Sequence, residues 1–462
     1  MPTATFSLTD CKAIIRVTPR AGDPLALKDL VLSVMHPKRG EIATLTAVLI
    51  NRRACGHRFH KVTAPQTEPF ALLLDKKGLI KDLTKFSTTL FDPRGLIREE
   101  LIDHEYHQGT GVWGREINNG LIAYIFSLNV RSRGPYKEKG VDSWALQQLF
   151  SSEYFNPRDF AVACPSRMIR HYPARAQTSE ATTHLNDFLH ENEFRRIGRT
   201  EFLVYSLEPT HRSHSLSTQD DAESNLIHRQ PTEELASTSD PIHALMILQD
   251  EQIRHRRKYP LHHAACDPQV TPSQLDVLIE ELFKSNPDSI RSRDENGYTP
   301  LHVAAHCASI PAIRALLALP SPGPRNDLAK RDNVDGTNVL ETCQRKMRTE
   351  RETEEKHDGH WHGYPEAFLR TEYMLKLAVG EDVGGLDEDA YTGTRKFGCT
   401  CNQCYNGKLS PRMRTRLVAE STWLLQDMLA EEPPFVGGQP TPITDIDLLP
   451  ESTTYLPASG PM

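Results

Sequence analysis

The chain of 462 residues carries 54 Lys plus Arg against 61 Asp plus Glu, a formal charge of −7, with 38% hydrophobic and 25% charged residues. At roughly 150 residues per domain this is material for two or three domains, and the acidic balance disfavours a globally basic nucleic-acid binder. The strongest apolar runs, such as Phe70–Leu74 and Leu121–Phe126, fall far short of the roughly 20 residues that span a bilayer, so no membrane role is expected. The start of the chain has no basic region followed by an apolar core. Its nine cysteines are therefore expected to be reduced thiols of an intracellular protein, cytoplasmic or nuclear.

Residues 1–210 mix β-branched runs, such as Ile42–Ile50, with helical ones, and read as an α/β domain. Gly109-Thr-Gly-Val-Trp-Gly114 has G-x-G-x-x-G spacing, but Arg115–Gly120 reads as a hairpin turn where a dinucleotide site needs a helix. Those glycines are expected in a strand. Leu121–Val130 is a strong strand. It runs into a basic turn, Arg131–Gly140, and then a helix through Asp142–Phe150. Strand, glycine-bearing basic loop and helix start together can cradle an anion, because unpaired N–H groups point out of the first turn. Phe160–Cys164 reads as a further strand, and a helix through Leu185 and Phe188 leads to Phe194–Tyr205.

This order of elements resembles the GNAT N-acetyltransferase fold. The resemblance implies that the strand offers backbone groups to the pantetheine arm of acetyl-CoA and that Lys137-Glu-Lys-Gly140-Val-Asp142 stands where the family's loop holds the pyrophosphate. The implied cofactor contacts are Leu128, Val130, Lys137, Lys139, Gly140 and Ser143. Two departures count against catalysis. Asp142 occupies the small-residue position facing the pyrophosphate, where like charges repel; its simpler reading is a helix N-cap. Tyr124–Ser127 carries no carboxylate to serve as a base, so the catalytic residues are unassigned. Glu116 and His107 are conceivable substitutes, and equally readable as solvent-facing.

Residues 211–257 are polar and read as a mostly disordered linker, with a short helix near Ile242–Ile253. Residues 258–345 hold an internal repeat: Tyr259-Pro-Leu-His-His-Ala-Ala-Cys266 recurs as Thr299-Pro-Leu-His-Val-Ala-Ala-His306, Pro260 matching Pro300 and His262 matching His302. A weaker third copy, Asp335–Cys343, places Leu340 against Leu301. Thr271-Pro-Ser-Gln274 predicts a capping box opening a helix with Leu275, Leu278, Leu282 and Phe283 on one face. Asp294–Ala305 resembles the ankyrin repeat, whose T-P-L-H-x-A segment opens its first helix, and Phe397–Met413 resembles a segment recurring beyond the repeats in fungal ankyrin proteins. The resemblance implies a stack that binds a protein partner. With two good copies, either the third copy or the α/β domain must close the array.

Residues 346–430 read as a helical extension with Cys399-Thr-Cys-Asn-Gln-Cys404. Those three cysteines, joined by His360, His362 or Cys343, could hold a structural zinc, and read equally as plain thiols. Arg345–Lys356 mixes charge signs and reads as a solvated helix or loop. A stripe of Met413, Leu417, Leu424 and Met428 would close the far end, and residues 431–462 read as a disordered tail. The expected function is an interaction scaffold carrying a GNAT-like domain. The alternative is an acetyl-CoA-dependent N-acetyltransferase whose ankyrin stack recruits the protein substrate.

Overall fold

The computed structural model describes residues 6–20, 22–63, 79–131, 136, 139–169, 179–224, 241–321, 323–358, 361–397 and 421. It divides into two compact units, Met1–Trp361 and His362–Met462.

The first unit begins with a sheet whose strands follow the β-branched runs: β1 (Lys12–Pro19), β2 (Leu27–His36), β3 (Gly40–Ile50), β4 (Ile122–Val130), β5 (Phe160–Ala163), β6 (Arg195–Arg196) and β7 (Leu203–Ser206). Their order across the sheet is β1-β2-β3-β4-β5-β7-β6. All neighbours are antiparallel except β4 and β5, which run parallel from Ile122 opposite Phe160 to Ile125 opposite Ala163. A bulge between Thr46 and Ala47 shifts the β3–β4 register at Phe126 and resets which residues face which side. Tyr124 and Phe126 thus pack into one core with Val48, Ile50 and Phe86, whereas Ile125 and Leu128 pack into a second with Leu45, Leu146 and Leu149. Helices α1 (Arg52–Cys55), α2 (Phe59–Thr63) and α3 (Leu79–Leu90) serve the first core. Helices α4 (Val141–Phe150), α5 (Pro165–Met168) and α6 (Ser179–Glu191) follow in the chain, α4 packing into the second.

Two expectations are corrected here. Gly109, Gly111 and Gly114 lie outside any strand. Gly109 and Gly198 take positive φ of 61° and 58°, and a Cβ on Gly109 would meet the Gly198 carbonyl oxygen at 2.6 Å, so the pair lets two loops cross closely. The polar segment after 210 does not leave the domain at once. His211 stacks on Trp113 at 4.7 Å, Arg212 Nε donates to the Val112 carbonyl (2.6 Å), and Asp221 takes the Arg196 N–H (2.9 Å) and pairs with His190. Polar composition suggested solvent; these groups instead satisfy donors and carbonyls buried at the sheet's end.

The helical region comprises α7 (Pro241–Lys258), α8 (Pro260–Ala264), α9 (Pro272–Ser285), α10 (Pro300–His306), α11 (Ile310–Ala318) and α12 (Val339–Asp358). The box that opens α9 forms as the sequence predicts, with Thr271 as cap, and a second box, Thr299 with His302, opens α10; both helices carry Pro in the first turn. Leu275, Ile279, Leu301, Ala304, Ala305, Ile313 and Leu316 are buried. The expectation of reduced thiols is corrected at one pair: Cys266 and Cys307, each just past its repeat's first helix, form a disulfide. Cys11, Cys55, Cys164 and Cys343 are buried and outside any disulfide.

In the second unit, α13 (Glu366–Val379) and α14 (Glu388–Arg395) pack as a pair around buried Tyr391. Arg370 ties Glu366, Glu388 and Asp389 together at 2.7–3.1 Å. The Cys399, Cys401, Cys404 cluster, the Met413–Met428 stripe and the 431–462 tail lie outside the described residues.

Candidate functional site

Each repeat begins with a turn and a cap, and the turns are built from the side chains that the sequence supplies. Asp294 Oδ1 accepts the Asn296 and Tyr298 N–H groups (2.9 and 2.8 Å); Asp332 accepts those of Val334, Asp335 and Thr337 (2.6–2.8 Å). The two turns are joined by Asn333 N–H to the Asn296 carbonyl (2.8 Å) and by Arg293 to Asn333 Oδ1 (3.0 Å). The third copy therefore exists as a turn and a helix start. Asn338 caps α12, its Oδ1 accepting Glu341 N–H (2.9 Å) while Glu341 Oε2 accepts Asn338 N–H (3.2 Å). In place of a helix pair, it continues as the single 20-residue helix α12.

The third residue of each first helix points along the stack. In the first copy His262 Nε2 reaches the Tyr298 carbonyl at 2.8 Å, and in the second His302 Nε2 reaches the Lys330 carbonyl at 3.1 Å. His302 Nδ1 is fixed in turn by Thr299 Oγ1 at 2.8 Å. Burial holds both imidazoles below the usual histidine range, so each is a neutral donor. The equivalent residue of the third copy is Glu341, and what lies beyond it is the α/β domain. Its carboxylate meets His107 Nε2 at 3.1 Å and His104 Nε2 at 3.3 Å, and takes a two-pronged bond from Arg331, which also covers the Tyr106 ring at 3.9 Å. Burial alone would raise the Glu341 carboxyl; the bonds from His107 and Arg331 outweigh it and hold it at about 2.

Two more ion pairs cross the same junction from α12. Glu352 takes both Arg98 terminal nitrogens at 2.9 and 2.7 Å, with the two side chains only 8% and 11% exposed. Arg348 grips both oxygens of Glu100. Burial opposes ionisation of Glu100 and Glu352, yet their arginine partners keep both below the usual carboxylate range. The 345–356 run is thus not merely a solvated stretch. Arg348 and Glu352, four residues apart, share the face turned to the α/β domain, while Cys343 and Met347 are buried. The sequence signal for this junction is the Glu in histidine register at 341; an Arg/Glu pair one turn apart reads like any solvated helix face.

His104, His107 and Glu341 place ligand atoms within 4.8 Å of one another, a spacing that a metal ion could use. The hydrogen bonding favours a different role. His104 Nδ1 accepts the N–H groups of Tyr106 (3.2 Å) and His107 (3.3 Å), which leaves the imidazole proton on Nε2, directed at Glu341. A metal would need that nitrogen's lone pair.

The residues expected around a cofactor lie along β4 and at the start of α4. Leu128 is buried in β4 opposite Leu45, and Val130 is half-buried opposite Ala43. Lys139 is exposed, and Lys137 lies outside the described residues. Gly140 is the N-cap of α4, left-handed at φ 66°; Asp142, expected in that role, sits inside the first turn and accepts the Ser143 N–H at 3.0 Å. A left-handed cap favours glycine, which is why the aspartate falls two residues later. Val141 N–H is taken by the Tyr136 carbonyl at 3.2 Å. The two substitute bases are also engaged: His107 by Glu341, and Glu116 by Gly114 N–H (2.6 Å) and His211 (3.4 Å). Among the candidate zinc ligands, Cys343 is buried in the first unit, His362 is exposed in the second, and His360 lies outside the described residues.

Compared with known protein families, the chain matches the ankyrin repeat over residues 296–327, from the second turn through α10 and α11 to the Pro324–Asp327 turn. No curated protein and no solved structure matches it.

Proposed function

We propose that this chain is a protein-interaction scaffold in which an ankyrin stack is closed at one end by a GNAT-like domain that does not catalyse acetyl transfer. The observation that carries the reading is the hydrogen bond between Asn333 N–H and the Asn296 carbonyl. It holds successive turns in line and presents exposed Arg293 and Glu295 beside them as a rigid edge. Rigid turn arrays lose little freedom on binding a partner.

The start of α4 does not suit a diphosphate. A carboxylate already bonds the Ser143 N–H, and the Val141 N–H is spent on Tyr136, so an incoming dianion would face negative charge with fewer donors. If acetyl-CoA were held, Leu128, Val130, Lys137, Lys139, Gly140 and Ser143 would be the contacts, and it would supply the activated acetyl group.

A second reading, the acetyl-CoA-dependent N-acetyltransferase, draws on the sheet. The parallel β4–β5 pairing covers only Ile122–Ile125, because β5 ends at Ala163, while β4 runs on to Val130, a length of strand that suits a cofactor arm. Isothermal titration of the full chain with acetyl-CoA separates the two. The scaffold reading expects no binding heat at high micromolar protein; saturable binding that Asp142→Ala tightens would favour the enzyme. A structural zinc at Cys399, Cys401 and Cys404 is proposed alongside, and less than one zinc per chain by elemental analysis would exclude it.

A further inference from the structure

The sheet ends on one side at β1, which pairs with β2 alone. The hydrogen bonding fixes which of its groups face outward. Arg20, the residue after β1, donates its N–H to the Leu27 carbonyl at 3.0 Å, in the register that sets Thr18 opposite Asp29 and Lys12 opposite Met35. Opposed residues of an antiparallel pair alternate between bonded and non-bonded. The even-numbered residues of β1 therefore bond β2, and Ala13, Ile15 and Val17 turn their N–H and carbonyl groups outward. Among the described residues none of these outward groups has a partner. Pro19 falls in the same outward set, where its missing N–H removes no ladder bond.

The side chains divide the same way. Ala13, Ile15 and Val17 pack against the second core. Lys12, Ile14, Arg16 and Thr18 stand on the other face and are exposed. Ile14 is 44% exposed, and Val31, diagonal to it on β2, is 37% exposed. An apolar spot thus lies between two cations. Lys12 and Arg16 make no ion pair among the described residues. The acids nearby are placed elsewhere: Asp29 is held by Arg20 at 2.6 Å, Glu41 stands two strands away beyond Met35, and Asp10 ends the turn ahead of the strand.

Charges and a proline on an edge strand discourage pairing with a like edge. A second copy paired here would bring like charges together, whereas a strand of opposite charge would gain from the same two side chains. We propose that β1 accepts an extended acidic segment of a protein partner as an added antiparallel strand. Strand addition takes its affinity from main-chain bonds and its specificity from alternate side chains. Ala13, Ile15 and Val17 supply the bonds. A carboxylate opposite Lys12, an apolar side chain opposite Ile14 and a second carboxylate opposite Arg16 complete the exposed face. These three are non-hydrogen-bonded pairs, in which side chains approach most closely. The partner's pattern is therefore acidic, any, apolar, any, acidic. This surface belongs to the α/β domain and is separate from the ankyrin edge, so either can fail alone.

The test uses the full chain and a fluorescein-labelled peptide, Ser-Glu-Thr-Ile-Thr-Glu-Ser, read by anisotropy at about 0.1 M salt. Ser-Lys-Thr-Ile-Thr-Lys-Ser serves as the charge control. The expected result is saturable binding of the acidic peptide with Kd of about 100 µM or tighter, and at least about tenfold weaker binding of the basic one. Lys12→Glu with Arg16→Glu should invert that preference. N-methylation of the peptide needs no change to the protein: methylating both threonines, whose N–H groups would face β1, should weaken binding about tenfold or more, and methylating the isoleucine, whose N–H faces away, by no more than about threefold. Absence of saturable binding up to about 500 µM chain, equal binding of the basic peptide, or indifference to threonine N-methylation would overturn the proposal. So would a dimer in sedimentation velocity that Ala13→Pro dissociates, because a second copy would then occupy the edge.

Discussion

Two kinds of junction hold the stacked elements together, and they solve one geometric problem with different chemistry. Between repeats, a neutral histidine in the third helical position donates to a backbone carbonyl of the next layer. Between the last repeat and the α/β domain, the same position carries Glu341 and the next layer offers His104 and His107. A backbone carbonyl recurs in every repeat, so a neutral donor suits a repeating contact. A foreign domain presents side chains, and there a charge fixes one docking partner and register. The junction is specific because it is ionic.

That contrast can be broken most severely at the buried pair. Glu352→Ala leaves the Arg98 guanidinium buried without a counter-charge and should cost about 3–5 kcal/mol, seen as a lowered denaturant midpoint. Arg98→Met with Glu352→Leu should recover most of it. The inter-repeat side carries the second-largest effect. The Cys266–Cys307 disulfide closes a loop of sequence separation 41, and Cys266→Ser with Cys307→Ser should cost about 4 kcal/mol on chain-entropy grounds. Loss of α8 and α10 amide protection ahead of the sheet's would locate the effect in the repeats.

Acid separates the two junctions. Glu341 lies at about 2 against an ordinary 4.5. A carboxyl depressed in the folded state adds stability that is complete above 4.5 and is lost as pH falls through 2, here about 3 kcal/mol. His262 and His302 are likewise depressed, from 6.5, so their contribution is complete above 6.5 and declines as pH falls below it. Hydrogen exchange between pH 6.5 and 5 should therefore show α8 and α10 loosening while α12 stays protected; simultaneous loosening would contradict the assignment. The smallest effect belongs to the neutral contact itself. His302→Ala should cost about 1–3 kcal/mol, since the Lys330 carbonyl loses a buried donor.

Much of this fold was legible from residue patterns. Alternating β-branched residues at Ile42–Ile50 mark β3, and Thr-Pro pairs at 271 and 299 mark helix starts, because those signals are local. The repeat register of the third copy was legible too, through Leu340. What escaped was the meeting of distant segments. Arg98 and Glu100 give no sign in their own neighbourhood that a helix 250 residues later will bring Arg348 and Glu352 to them, and the charges of α12 resemble any solvated surface. The cap of α4 was displaced for a local reason that composition hides: a left-handed turn at Gly140 precedes Asp142. The order around Asp221 was hidden because polar residues serve buried partners as readily as water.

Paired charges dock α12 against the α/β domain, and a charge exchange tests this directly. Glu100→Arg and Arg348→Glu should each lower the urea midpoint of the full chain. The two together should recover it, with a coupling of about 1.5–3 kcal/mol in the double-mutant cycle. Strictly additive losses, with no recovery in the double variant, would mean that the two side chains do not meet and that the stack is closed in some other way.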